Sequence, residues 1–230
     1  MRPCGPTLQN CSVLWHDGTS RRSLSRALLV RARWICRTTM LNPVINTLAF
    51  PFPPRGEARG ARLRRNPGLI WLTTSTAERV PALLVKRSKP RRSRRFLVLY
   101  SHGNAEDLTE LPPMVSMMAN WLDADVLAYE YVGYSIADGS PSEKGCYAAA
   151  AAAYSWAVQP AADGGGGAAA SDVVPFGRSL GSAAACYIAA TAPTPVGALI
   201  LQSPLLSGGA RIHSHSATSK PAVPQHEPVR

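Results

Sequence analysis

No aspartate follows Ser179 anywhere in this 230-residue sequence, and the one later acid, Glu227, comes after every histidine. Long apolar runs are also missing. The most apolar early stretch, ALLV at 27–30, is broken by Arg31 and Arg33, far short of the roughly 20 residues that cross a bilayer, and it makes a poor secretory signal. Acids are scarce at the front, where arginines at 2, 21, 22, 26, 31, 33 and 37 face Asp17 alone. The five cysteines, Cys4, Cys11, Cys36, Cys146 and Cys186, are odd in number and form no CxxC pair, which argues against a disulfide framework and against a zinc site. No metal and no cofactor are expected.

The formal charge of +11 raises nucleic acid or an anionic membrane surface as partners. Basic residues cluster in the first 37 positions and again in KRSKPRRSRR at 86–95. They carry no zinc-finger spacing, no RNA-binding strand and no helix with interleaved aromatics, so specific nucleic-acid recognition is not expected. A cytoplasmic protein touching an anionic membrane peripherally through its basic N-terminal segments fits better. The acid-poor leader also shares the composition of mitochondrial transit peptides, and Met40 could be an alternative start. These readings stay open.

From about Pro67 the pattern changes. LIWLTTS (69–75) and VPALLVKR (80–87) read as an antiparallel hairpin. FLVLYSHG (96–103), ADVLAYEY (124–131), DVVPFGRS (172–179) and GALILQSP (197–204) are nearly continuous apolar runs, as parallel strands covered on both faces require. Helices are expected at 111–124, 140–158 and 180–192. The first places Met114, Met117, Met118 and Trp121 at helical spacing, with the methionines as core filler, and the second would open with Ser140 as N-cap, Pro141 at the first position and Glu143 closing a capping box. PAADGGGGAAAS (160–171) lacks the Lys-Ser/Thr ending of a phosphate loop and reads as a flexible surface connection. The order argues for a mostly parallel α/β sheet with an antiparallel edge.

Gly177-Arg178-Ser179-Leu180-Gly181 matches G-x-S-x-G between an apolar strand and a small-residue helix, the setting in which a serine hydroxyl stands exposed as a nucleophile. The elbow glycines Gly177 and Gly181 leave room for neighbouring backbone. The Leu180 N–H at the helix start would supply half an oxyanion hole, and Asn104 or Ala105 in YSHGNAEDL (100–108) the other half. His102 belongs to that loop and makes a poor base. Glu106 and Asp107 are expected to tie the loop down, and Glu130 and Asp138 to cap loop ends.

LYSHGNAEDL (99–108), YEYVGYSIADGSPSE (129–143), GRSLG (177–181) and SPLLSG (203–208), with a looser echo in LAFPFPP (48–54), resemble the α/β-hydrolase domain proteins of the family-seventeen type, depalmitoylating serine hydrolases. The resemblance implies an α/β-hydrolase fold with Ser179 as nucleophile. It also implies ester or thioester substrates, including acylated proteins, and acylation of N-terminal cysteines, which would fall on Cys4, Cys11 or Cys36. Arg178 stands where a glutamine is usual, Ser135 where a glycine is, and Gln202 where a histidine is.

The triad of this fold runs serine, acid, histidine. His213, His215 and His226 follow no apolar strand, and GALILQSP counts as the sixth of eight strands. The expectation is therefore a basic, irregular extension over 1–66, a partial hydrolase domain over 67–207 that lacks the last strands and leaves an apolar sheet edge exposed, and a disordered tail over 208–230. Two functions remain: a serine hydrolase acting through Ser179 but crippled by truncation, and a non-catalytic remnant that binds an acyl chain, a membrane or a partner.

Overall fold

The computed structural model of the protein describes residues 11–15, 57–88 and 96–205. The expectations for Cys4, Cys36, the 208–230 tail with its three histidines, and most of the 86–95 basic cluster lie outside these residues.

Seven strands form one sheet: β1 (Cys11–Trp15), β2 (Leu69–Thr73), β3 (Arg79–Val85), β4 (Leu97–Ser101), β5 (Asp125–Tyr129), β6 (Val173–Arg178) and β7 (Ala198–Gln202). Among the described residues four α-helices accompany them: α1 (Glu57–Arg64), α2 (Pro112–Leu122), α3 (Glu143–Val158) and α4 (Gly181–Thr191). The spatial order is β1-β7-β6-β4-β5-β3-β2. Strands β5, β4, β6 and β7 run parallel, and the hairpin β2–β3 joins β5 antiparallel. This is the mostly parallel sheet with an antiparallel N-terminal hairpin that the sequence implies.

The continuous apolar runs divide by alternation. Leu97, Leu99, Leu127 and Tyr129 face the layer made by α3 and α4, where Ala149, Ala150, Ala153 and Ile188 are buried. Val98, Tyr100, Val126 and Ala128 face α2, with Val115 and Ala119, and also Leu63 of α1. A strand buried on both faces has no polar side to show, which is why its sequence lacks alternation. The alanine run lets α3 lie close to the sheet and to α4, where Tyr147 and Tyr187 stack at 4.7 Å between ring centres.

Five expectations need correction. The N-cap of α3 is Ser142, not Ser140: its Oγ accepts the Gly145 N–H at 3.0 Å, so Glu143 is the first helical residue and no capping box forms. Of the methionines expected in the core, Met114 and Met118 of α2 pack partly against it but Met117 does not join them, and Trp121 on the same helix is 55% exposed. Its place at the last turn carries it past the edge of the apolar face.

The glycine-rich 160–171 segment is not a loose connection either. The last carbonyls of a helix have no partner within it, and here the loop supplies them. Gly166 N–H donates to the Trp156 carbonyl at 2.8 Å, Gly167 N–H to that of Gln159 at 2.8 Å, and Ala168 N–H to that of Ala157 at 2.9 Å. A Cβ on Gly165 would stand 2.3 Å from the Gln159 carbonyl oxygen, so only glycine allows the loop to fold this tightly.

The region read as irregular contributes a strand and a helix, β1 and α1. Finally, the edge of β7 is not bare. β1 pairs with it antiparallel, from Cys11 opposite Gln202 to Trp15 opposite Ala198.

Candidate active site

The carboxyl ends of β4, β5, β6 and β7 lie side by side, and the segments leaving them build the site. Ser179 follows β6 at φ 52°, the left-handed region that a side-chain-bearing residue occupies at a cost of about 1–2 kcal/mol. Its surroundings hold it there. The Ser179 N–H donates to the Gln202 carbonyl at the end of β7, at 3.0 Å, and the Ser179 carbonyl accepts from the Ser182 N–H at 3.0 Å and from the Ser182 hydroxyl at 2.5 Å. Ser182 is 2% exposed, and its Oγ also accepts the Leu205 N–H at 3.1 Å. Sequence reasoning passed over this serine, although the G-x-S-x-G spacing places it one residue past the final glycine.

The flanking glycines are explained by close approach. A Cβ on Gly177 would stand 2.4 Å from the Gly181 carbonyl oxygen, and one on Gly181 only 2.0 Å from that of Ser101. The start of α4 therefore rests directly on the end of β4, next to the 102–108 loop. A Cβ on Gly103 would be 3.8 Å from the Arg178 carbonyl oxygen, so loop and serine turn lie against each other. Leu180, with helical φ and ψ, directly precedes α4. Asn104 is buried and Ala105 exposed.

Side chains tie this loop down at several points. Glu106 accepts the Gly103 N–H at 2.7 Å and is ion-paired with Arg178. The arginine that replaces the usual glutamine thus links the serine turn to the loop. Asp107 accepts the Thr109 N–H at 2.8 Å. The Tyr134 hydroxyl donates to Asn104 Oδ1 at 2.6 Å. Asp138 accepts the Arg79 N–H at 3.0 Å, at a loop end.

Glu130 does more than cap a loop. Ser101 and Tyr129 are register partners, so the next residues along, His102 and Glu130, face each other across the strand ends. His102 Nε2 lies 2.7 Å from Glu130 Oε1 with both side chains fully buried. Its Nδ1 lies 2.9 Å from the Gly103 carbonyl oxygen. Burial alone would push the imidazole pKa down, but the facing Glu130 charge and hydrogen bond, with the Gly103 carbonyl, carry it above 6.5. Among the described residues His102 is the sole histidine, and neither nitrogen is available to take a proton from Ser179. No group of three or more metal-ligating side chains occurs among the described residues.

No family model matches the chain. Human alpha/beta hydrolase domain-containing protein 17B is 30% identical over 140 residues, 59% of this chain and 43% of that protein. Mouse protein 17C is 32% identical over 121 residues, 50% of this chain and 34% of that protein. The aho-3 protein of Caenorhabditis elegans, also an alpha/beta hydrolase domain-containing protein, is 31% identical over 120 residues, 52% of this chain and 34% of that protein. The chain thus spans less than half the length of these relatives. Among solved structures, an alpha-beta hydrolase from Vibrio vulnificus superposes with a TM-score of 0.59 at 24% identity, covering 79% of this chain and 65% of that one. With the strand order and the serine turn, these likenesses identify the chain as an α/β-hydrolase-fold protein similar to the alpha/beta hydrolase domain-containing proteins of the 17 type.

Proposed function

We propose that Ser179 is the acyl-accepting residue of an ester or thioester hydrolase. The observation that carries this reading is its backbone: a serine at φ 52° between β6 and α4, with the 102–108 loop held against the same turn. In the reaction Ser179 Oγ attacks the acyl carbon, a base takes the hydroxyl proton, and the tetrahedral oxyanion meets backbone N–H groups of Leu180 and of Asn104 or Ala105. The thiol or alcohol then leaves with a proton, and water releases the acid and restores the serine. The likeness to the 17-type proteins favours acylated proteins or small acyl esters as substrates, with the basic segments meeting an anionic membrane surface. No described helix is long and apolar enough to cross a membrane.

The base has to come from outside the described residues, because His102 is committed to Glu130 and Gly103. That same commitment favours a second reading, a fold that binds an acyl chain, membrane or partner without turning it over. A fluorophosphonate probe separates the two, since it reacts quickly only with an activated serine. Labelling of the folded 230-residue chain that disappears in Ser179→Ala supports the hydrolase. A folded chain that labels no faster than Ser179→Ala supports the binding reading.

A further inference from the structure

We propose that Glu130 is the positioning residue of the oxyanion loop, clasping it at both ends through its two carboxylate oxygens. The inference rests on the reading of 102–108 as that loop. Glu130 Oε1 takes His102 Nε2 at 2.7 Å and the Tyr131 N–H at 3.2 Å, and Oε2 takes the Leu108 N–H at 2.8 Å. One buried carboxylate thereby fixes the first residue of the loop and the seventh. The neighbouring tyrosines work in the same direction. The Tyr131 hydroxyl donates to the His102 carbonyl at 2.7 Å, and that of Tyr134 donates to Asn104 Oδ1.

The geometry sets one ring proton directly: a carbonyl oxygen cannot donate, so His102 Nδ1 carries a proton to meet Gly103. We infer the second from the buried contact, in which Glu130 accepts as a carboxylate and Nε2 donates, so that the pair is an imidazolium facing a carboxylate with both side chains fully buried. The other titratable groups around it are Glu106, paired with Arg178, the rings of Tyr131 and Tyr134 at 4.3 and 6.0 Å, and Cys146 behind those tyrosines. An ordinary structural salt bridge would stabilise the fold. This one spans the segment whose backbone N–H groups must meet the oxyanion.

Two readings on the full chain test this without any turnover, so they stand apart from the fate of the Ser179 proposal. The first is the ring nitrogen spectrum of chain carrying 15N-histidine. The signal lost in His102→Gln should keep the imidazolium pattern at both nitrogens well above pH 6.5; an ordinary titration near that value overturns the proposal. The second is amide hydrogen exchange across 103–108 in Glu130→Gln, whose side-chain amide cannot accept at both ends. Exchange there should quicken by about tenfold or more while β4 stays protected, and unchanged exchange in the loop overturns the proposal. Should Glu130→Gln not fold, the wild-type ring spectrum decides. If the wild-type chain labels with the fluorophosphonate, its rate in Glu130→Gln should fall while the Ser179 turn keeps its protection.

Discussion

Ser135 shares with Ser179 a positive φ, of 47°. Its Oγ is buried and has no hydrogen-bond partner. The resemblance that places a glycine here has its physical reason in that φ. Relief of left-handed strain is worth about 1–2 kcal/mol and removal of an unsatisfied buried hydroxyl about 1–3, against about 0.5–1 for the added freedom of glycine in the unfolded chain. Ser135→Gly should therefore raise the thermal midpoint by several degrees, about 2–4 °C for each kcal/mol in a chain of this size, as read by calorimetry. Gly181→Ala should do the reverse. Its Cβ would stand 2.0 Å from the Ser101 carbonyl oxygen, so α4 must lift off β4 at a cost of about 2–3 kcal/mol or more, visible as a lower denaturant midpoint. The serine turn was legible because its signal is local. The His102–Glu130 pair was not, because it depends on β5 lying next to β4 in space.

Helices and strands were read well where the pattern itself decided them and less well at their ends. The four parallel strands and the hairpin were placed by apolar runs between turns. The start of α3 was misplaced by two residues because SPSE offers two serines, and only the backbone shows which one caps. Ser142, extended at φ −162°, accepts from Gly145, so Ser142→Ala should cost about 1 kcal/mol and Ser140→Ala close to nothing, in parallel urea titrations. The glycine-rich segment was misread for a related reason: composition reports freedom in the unfolded chain, whereas the tight loop of 160–171 needs that same freedom to reach the carbonyls at the end of α3. At the far edge of the sheet, Trp71 of β2 is covered by the guanidinium of Arg79, 4.6 Å from its ring centre, with Arg64 of α1 at 5.9 Å. Charged groups over an edge strand discourage pairing with another sheet.

Across the whole molecule, β1 lies outside the alternation of strands and helices that begins near Pro67. CSVLW is five residues long and is bracketed by the turn dipeptides Gly5-Pro6 and Asp17-Gly18, but its partner β7 is nearly two hundred residues away, which local pattern does not reveal. Its backbone pairing covers the β7 edge, so removal of residues 1–16 should expose that edge and drive association of the sheet with its own copies. Sedimentation velocity at increasing concentration is the measurement: the full chain should hold one sedimentation coefficient, and the shortened chain should shift to larger species. An unshifted shortened chain would mean that the β7 edge needs no cover.

The pairing of Cys11–Trp15 with Ala198–Gln202 has a consequence in time as well as in space. On the ribosome β1 emerges nearly two hundred residues before β7, so the early strand waits unpaired while the sheet that will receive it is made. When β7 arrives it also brings the Gln202 carbonyl that fixes Ser179. Edge closure and the setting of the serine turn therefore wait on the same strand.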